Sequence, residues 1–315
     1  MAGCSDYISR AVKMGYNWDG SLLSASNCTL SWNYLKSFNV SIRENIDKAG
    51  VISGSRDQAR IAVLGEETEV EFEHELMSPY PLYFALGSIS PSASPPFTIS
   101  VGSTLPTMTF ARYLEPVETG EQKLLRVWGA KVDSMELSVE ANGLANISTT
   151  CYGNRATIDT SGTISASIDY AKDPVYFNDF TIKVDTQSID EISRISFTVN
   201  NNLERKYAIS TSAGYGAYCI PEGFLGIEGR LEIGGKALSM LEKVLNRSAG
   251  HSIDLVISKT HGGEVTSTIT LANVMFNEYP EKIEGIEPYS IEIPFQAIPS
   301  SSQPAIKIVT NTLIL

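Results

Sequence analysis

Glu67-Thr68-Glu69-Val70-Glu71-Phe72-Glu73-His74-Glu75-Leu76 alternates acid and apolar residues along almost its whole length. Side chains alternate between the two faces of a strand, so this stretch predicts a β-strand with two unlike faces. Glu67, Glu69, Glu71, Glu73 and Glu75 share one face, and Val70, Phe72, His74 and Leu76 share the other. Ser78-Pro79 ends the strand. Pro81-Leu82-Tyr83-Phe84-Ala85-Leu86 then predicts a short helix that stops at Gly87. Proline suits a first helical turn, and glycine suits the residue just past the last one.

Outward from this unit, the chain repeats itself. Residues 70–76 match 227–233, and each strand leads through a short turn into an apolar helix, 81–87 and 236–246. Leu238, Leu241 and Leu245 fall on one face of the second helix. Ser37-Phe38-Asn39-Val40 matches Ser196-Phe197-Thr198-Val199, and Ala130-Lys131-Val132 matches Ala272-Asn273-Val274. Gly143 and Ser148 match Gly285 and Ser290. The shared order of strands, long loop, helix and hairpin points to an internal duplication.

The rest of the chain reads as strands and turns. Strands are expected at 29–42, 97–101, 108–114, 124–128 and 131–139, with Asn142-Gly143 as a hairpin turn into 144–152. A second series follows at 180–184, 192–199, 226–233, 252–259, 264–272, 273–276 and 290–295. Residues 45–64 and 204–223 read as long loops, and such loops are usually functional. The expected division is an N-terminal arm at 1–32, a first β domain at 33–153 and a Ser/Thr-rich linker at 154–179 with a possible strand at 163–168. A second β domain at 180–298 and a C-terminal tail at 299–315 complete it. Within the arm, 5–14 could form one or two helical turns and 15–20 is turn-rich. The fold class is mainly β: two tandem β-sandwich or barrel domains, each with one flanking α-helix.

Composition narrows the function. The 315 residues are 43% hydrophobic and 19% charged, ordinary globular values, and carry a net charge of −12. That balance argues against a nucleic-acid-binding footprint, which concentrates Lys and Arg. Residues 1–18 lack the continuous apolar core of a signal peptide, and no run of about 18 apolar residues suggests a membrane span. Cys4, Cys28, Cys151 and Cys219 lie far apart, match no zinc spacing and are expected as free thiols in a reducing compartment.

Chemistry-bearing motifs are absent from the pattern. His74 is expected in the core, with His251 and His261 at the surface. Gly234-Gly235-Lys236 lacks the upstream glycine and the Ser/Thr of a phosphate loop, and Gly214-Tyr215-Gly216 is an isolated glycine pair. Glu71 and Glu73 could form a glycosidase pair, but five acids in a row without a nearby Trp or Arg read as an acidic surface. No catalytic residue, cofactor or metal ligand is expected.

Three stretches together resemble the two-domain tail tube proteins of long-tailed phages and related tailed viruses. The first is Asn39-Val40-Ser41-Ile42-Arg43-Glu44-Asn45-Ile46, followed by a Gly/Arg-containing loop and the strand at 69–76. The second is Gly129-Ala130-Lys131-Val132-Asp133-Ser134-Met135. The third is 269–276 with Tyr289-Ser290-Ile291-Glu292-Ile293-Pro294-Phe295-Gln296-Ala297. The resemblance covers roughly 38–297. It implies a structural virion protein whose copies form stacked rings and a hollow tube for DNA, built in the host cytoplasm alongside other tail proteins. Rings of three two-domain copies, or of six copies, are both compatible with it. It implies no enzymatic activity and no membrane insertion.

Charge agrees with that role, because fixed negative charge on a wall discourages phosphate adsorption. Glu67, Glu69, Glu71, Glu73, Glu75, Glu228 and Glu232 are the candidate channel-lining acids, although a merely solvated outer face fits the same pattern. Arg56, Asp57, Tyr207, Tyr215 and Tyr218 are candidate contacts between stacked rings. The alternative from another class is a two-domain carbohydrate- or receptor-binding module, kept open by the tyrosines at 207, 215 and 218. A glycan-acting enzyme would need two convergent acids, which the sequence does not identify.

Overall fold

The computed structural model describes residues 14–18, 35–49, 60–91, 94–114, 123–159, 173–207, 216–234, 250–260, 264–277, 290–301 and 303–313. The first half contains β1 (Met14–Trp18), β2 (Leu35–Ala49), β3 (Arg60–Glu75), the helix α1 (Leu82–Leu86), β4 (Gly87–Ser90), β5 (Phe97–Val101), β6 (Met108–Leu114), β7 (Lys123–Glu140), β8 (Asn146–Gly153) and β9 (Arg155–Asp159). The second half contains β10 (Phe180–Val184), β11 (Gln187–Ser188), β12 (Ile192–Asn200), β13 (Gly226–Gly234), β14 (His251–Lys259), β15 (Val265–Phe276), β16 (Ser290–Ala297) and β17 (Ile306–Thr310).

Two large antiparallel sheets run through both halves. The first has the order β2-β3-β8-β7-β12-β13-β16-β15. The second has the order β4-β5-β17-β15-β14-β10-β11, so β15 belongs to both. A smaller sheet, β1-β6-β7-β9, uses the N-terminal part of β7. β7 changes sheets near Gly129, which has φ +58, and β15 has Asn273 at φ +51 near its own change of partners. Both are left-handed backbone positions that glycine and asparagine tolerate best.

The first sheet repeats a four-strand block. β2-β3-β8-β7 is followed by β12-β13-β16-β15 in the same order. Registers agree as well: Phe38 pairs with Phe72 where Phe197 pairs with Gly229, and Val132 pairs with Cys151 where Val274 pairs with Ala297. The register aligns Ser148, which pairs with Glu73, to Pro294, which pairs with Arg230, and not to Ser290. The sequence match of Ser148 to Ser290 is therefore out of step by four residues, because a shared serine carries no register information.

Alternation places the apolar face of this sheet in one buried cluster. Val70, Ile147, Val132, Leu137, Phe197, Leu231 and Ile293 are fully buried there, joined by Ile99, Ile269 and Ile308 from the second sheet. α1 is buried along all five residues and ends at Gly87, with φ +92. A Cβ at Gly87 would come within 2.4 Å of the Thr104 carbonyl oxygen, so a side chain is excluded by contact as well as by conformation.

His74 lies in this core, 3% exposed and stacked on Phe72 at 5.9 Å. Its Nδ1 is 3.0 Å from the Glu75 carbonyl oxygen. Burial pulls its pKa below the ordinary 6.5, and the Glu75 carbonyl opposes this only in part. The unfolded chain therefore takes up this proton first as the pH falls. The stability that neutral His74 contributes is present above about pH 6.5 and is lost as the pH falls toward the folded value. His74→Phe is expected to flatten the acid-side fall of the urea midpoint below that pH. An unchanged slope would show that other groups set it.

Several expected elements lie differently. β2 continues to Ala49 and β3 begins at Arg60, with a register shift at Asn45/Ile46, so both ends of the expected loop at 45–64 belong to one antiparallel ladder, and 50–59 lie outside the described residues. Its polar sequence hid a ladder held by backbone bonds. The turn-rich 15–18 is part of β1, paired with β6. The expected linker begins with β9 on β7, and the expected C-terminal tail contains β17 between β5 and β15. His251 is buried, not at the surface, because it begins β14 with its ring 2.8 Å from an Asp185 carboxylate oxygen. Cys151 is buried and Cys219 half-buried, both as free thiols. The expected helix at 236–246, the strand at 163–168, His261 and Gly214-Tyr215 lie outside the described residues.

Candidate functional site

The opposite face of the eight-strand sheet carries the candidate residues. Direct cross-strand partners share a face. One such row runs across the whole sheet: Ser37, Glu73, Ser148, Glu136, Thr198, Glu228, Gln296 and Met275. The next is Asn39, Glu71, Thr150, Ser134 and Asn200. Met275 apart, these two rows consist of acids, hydroxyls and amides.

All five acids of β3 lie on it. The Asn45 amide donates to Glu67 at 3.0 Å and the Asn39 amide donates to Glu71 at 3.3 Å. Glu69 lies between Ser41 and Tyr152, Glu73 between Ser37 and Ser148, and Glu75 opposite Asn146. Glu136 and Glu140 of β7 add to the same face, although the sequence pattern did not single them out. Met135 to Glu140 alternates just as strictly, but its polar positions are not a run of acids, and the pairing with β8 and β12 puts Glu136 and Glu140 on this face.

The second half is mixed in charge. Glu228 lies between Thr198 and Gln296, and Glu232 between Arg194 and Glu292. Arg230 donates to Glu292 at 2.9 Å in an exposed pair. These residues, with Glu136, border a depression of about 480 Å³. Surface pairs of this kind contribute little stability, so their effect is on the local field.

A second feature ties the halves together. Residues 201–207, which follow β12, and 216–224 lie against the first half. The Asn201 side-chain amide donates to the Ala85 carbonyl at 3.1 Å and to the Val132 carbonyl at 2.9 Å. Arg205 donates to the Thr68 carbonyl at 2.8 Å and sits 4.0 Å above the Tyr152 ring. Lys131 donates to the Glu222 carboxylate at 2.8 Å and to the Ile220 carbonyl at 3.0 Å. Burial works against ionisation of Glu222, but the Leu105 amide and Lys131 together hold its carboxyl below the ordinary 4.5.

This segment also places two of the candidate contact tyrosines. Tyr207 is 44% exposed and donates to the Glu66 carbonyl at 3.3 Å, against the first half of its own chain. Tyr218 is 63% exposed. Arg56, Asp57 and Tyr215 lie outside the described residues. Among the described residues, no group of three or more His, Cys, Asp or Glu side chains is placed to hold a metal ion. No helix among them is long and apolar enough to cross a membrane.

A family match covers most of this architecture. The family described as phage tail tube protein matches residues 27–297, from before β2 to the end of β16. The chain belongs to that family. None of the curated proteins matches it. As a phage tail tube protein it is a structural component of a virion tail, and its β-rich sheets are the fold the resemblance implied. The match leaves β1 and β17 outside, although both pair with strands inside it.

Proposed function

We infer that copies of this chain close into rings, that the rings stack into a hollow tube, and that the polar sheet face lines the lumen through which DNA passes. The row from Ser37 to Met275 carries this reading, because one continuous wall spans both halves of the chain without an apolar ring or a basic cluster. DNA that slides must not be held. Carboxylates on the wall deny phosphates the counterion release that drives binding. Hydroxyls and amides remain hydrated and present no apolar surface to the bases.

The chain in this reading is a duplicated unit, with 33–153 and 180–298 as its two copies, and three chains supply a ring of six units. Head-to-tail stacking is a heterologous contact that propagates. Arg56, Asp57, Tyr215 and the exposed Tyr218 are suited to that contact. Assembly takes place in the host cytoplasm, with other tail proteins setting where the tube starts and stops.

Electron microscopy of the purified chain in negative stain tests the assembly, with hollow tubes or rings expected. A protein that stays monomeric at high concentration and in the presence of preformed tail tips would overturn it. The wall is tested by Glu69→Gln, Glu71→Gln and Glu73→Gln together. Tubes of normal appearance with slowed or incomplete DNA ejection are expected. Unchanged ejection would remove the acids from the mechanism.

A further inference from the structure

Charge is spread unevenly over the described strands. The small sheet is basic: β1, β6, β9 and residues 123–128 of β7 carry Arg112, Lys123, Arg126 and Arg155 against one acid, Asp159. The chain as a whole runs the other way, with 24 Lys and Arg against 36 Asp and Glu.

Two of these cations flank an aromatic ring. Arg126 pairs directly with Thr157, and Trp128 with Arg155, so all four share one face. Val127 lies between Arg126 and Trp128 and is buried in the core, which puts this face on the side away from the core. The Trp128 Nε1 donates to the Thr157 hydroxyl at 2.8 Å, and the Arg126 guanidinium lies 5.3 Å from the ring centroid. The ring is thus held in place by a hydrogen bond and a cation–π contact. Arg126, Trp128 and Thr157 are half-buried and Arg155 is exposed. Ala111, opposite Arg126 on β6, is buried, so the accessible patch runs along β7 and β9. The Ala156 amide of β9 already donates to the Glu66 carboxylate at 2.8 Å. A partner here therefore meets side chains and not an open strand edge.

The second half shows that the fold does not require these residues. β14, β15 and β17 stand there as β6, β7 and β9 stand in the first half. In each, the register shifts beside a left-handed residue, Gly129 between Val127 and Ala130, and Asn273 between Leu271 and Val274. Carried across, Arg126 and Thr157 become Thr270 and Lys307, while Trp128 and Arg155 become Ala272 and Ala305, both buried. The same strand pairing is made without tryptophan or arginine. Trp and Arg are also the side chains that most often anchor contacts between proteins.

We propose that Arg126, Trp128 and Arg155 bind an acidic segment of another protein. The Arg155 guanidinium takes a carboxylate through its fork, and Trp128 packs on the aliphatic part of the segment. A nucleic acid or a sulfated glycan calls for a longer cationic track on a chain of net charge −12, whereas two arginines match a short run of Asp or Glu. This surface is separate from the polar sheet face, and a single chain carries it without rings or tubes.

Fluorescence anisotropy of a labelled peptide of glutamate and leucine, titrated with the full chain, tests the proposal. Saturable binding is expected, weakened about tenfold by Arg126→Glu and by Arg155→Glu. Arg155→Lys should weaken it by less, since it keeps the charge and loses the fork. Lys307→Glu makes the same change of charge on the corresponding face of the second half and should leave binding unchanged. Circular dichroism checks the fold of each variant, and the exposed Arg155 carries the test if Arg126→Glu unfolds. No binding by the unaltered chain, or an equal loss with Lys307→Glu, would overturn the proposal. So would duplex DNA or heparin binding more tightly than the peptide through the same arginines, which would make the surface a general polyanion patch.

Discussion

Gly229→Phe and Phe295→Thr are each expected to destabilise the protein severely, and together to restore much of what each one loses. A Cβ on Gly229 would lie 2.4 Å from the Phe295 ring, 2.4 Å from the Ser196 carbonyl oxygen and 2.9 Å from the Phe197 Cβ. The first block shows the same cross-strand pair solved the other way round. There Phe72 stands on β3 and Thr149 opposite it on β8, whereas β13 carries Gly229 and β16 carries Phe295. One aromatic ring fills the site in each block, from opposite strands. Removing Phe295 alone should cost about 3–5 kcal/mol for the lost ring and the cavity. Adding a ring at Gly229 alone should cost at least 1–3 kcal/mol through overpacking.

The double variant recreates the first block's arrangement, so a favourable coupling of roughly 1–3 kcal/mol is expected. Recovery should be incomplete because the Ser196 carbonyl must still move. Urea midpoints of the four proteins measure the coupling, provided their slopes agree. A double variant no more stable than the sum of the singles would mean that the two blocks do not share one packing scheme.

Asn201→Ala is expected to cost about 2–4 kcal/mol, more than a typical surface change by a wide margin. Asn201 is 5% exposed, and its amide bridges the Ala85 carbonyl of α1 and the Val132 carbonyl of β7. Alanine withdraws both donors from the Ala85 and Val132 carbonyl oxygens. Asn201→Asp should be worse, since it would turn a carboxylate toward two carbonyl oxygens. The loss is expected to begin locally, with residues 201–207 and 216–224 becoming open to protease before global unfolding. Proteolysis and thermal unfolding that change together, with no early cleavage there, would place the effect in the core instead.

Much of the first sheet was legible because alternation is a local property. Glu67 to Leu76 announced both of its faces, and Leu82–Leu86 with Gly87 announced a helix and its stop. Phe38 and Phe197, matched in the sequence, fall at corresponding places in the two four-strand blocks. Pairing partners were not legible, since nothing in β17 says that it joins β5 to β15. Polar ladders were also missed: Asn45 to Ala49 carry the composition of a loop, yet backbone bonds to β3 hold them extended. Within the candidate face, the acids of β3 were found, but Glu136 and Glu140 were not. Arg205, Lys131 and Glu222 act through tertiary contacts that no spacing reveals.

β17 has a consequence for time rather than for shape. Lys307 pairs with Ser100, and the same strand pairs Lys307 with Thr270, so one short segment completes the outer sheet of both halves. Such a distant contact is slow to form, because the loop it closes must be ordered before the contact stabilises anything. Neither half can finish its outer sheet alone, however similar the two are in sequence. A chain cut before Ile306 should therefore yield two unfinished halves instead of one sound and one damaged. On the ring reading proposed above, a copy would have no completed sheet to offer a neighbour until its own β17 has paired.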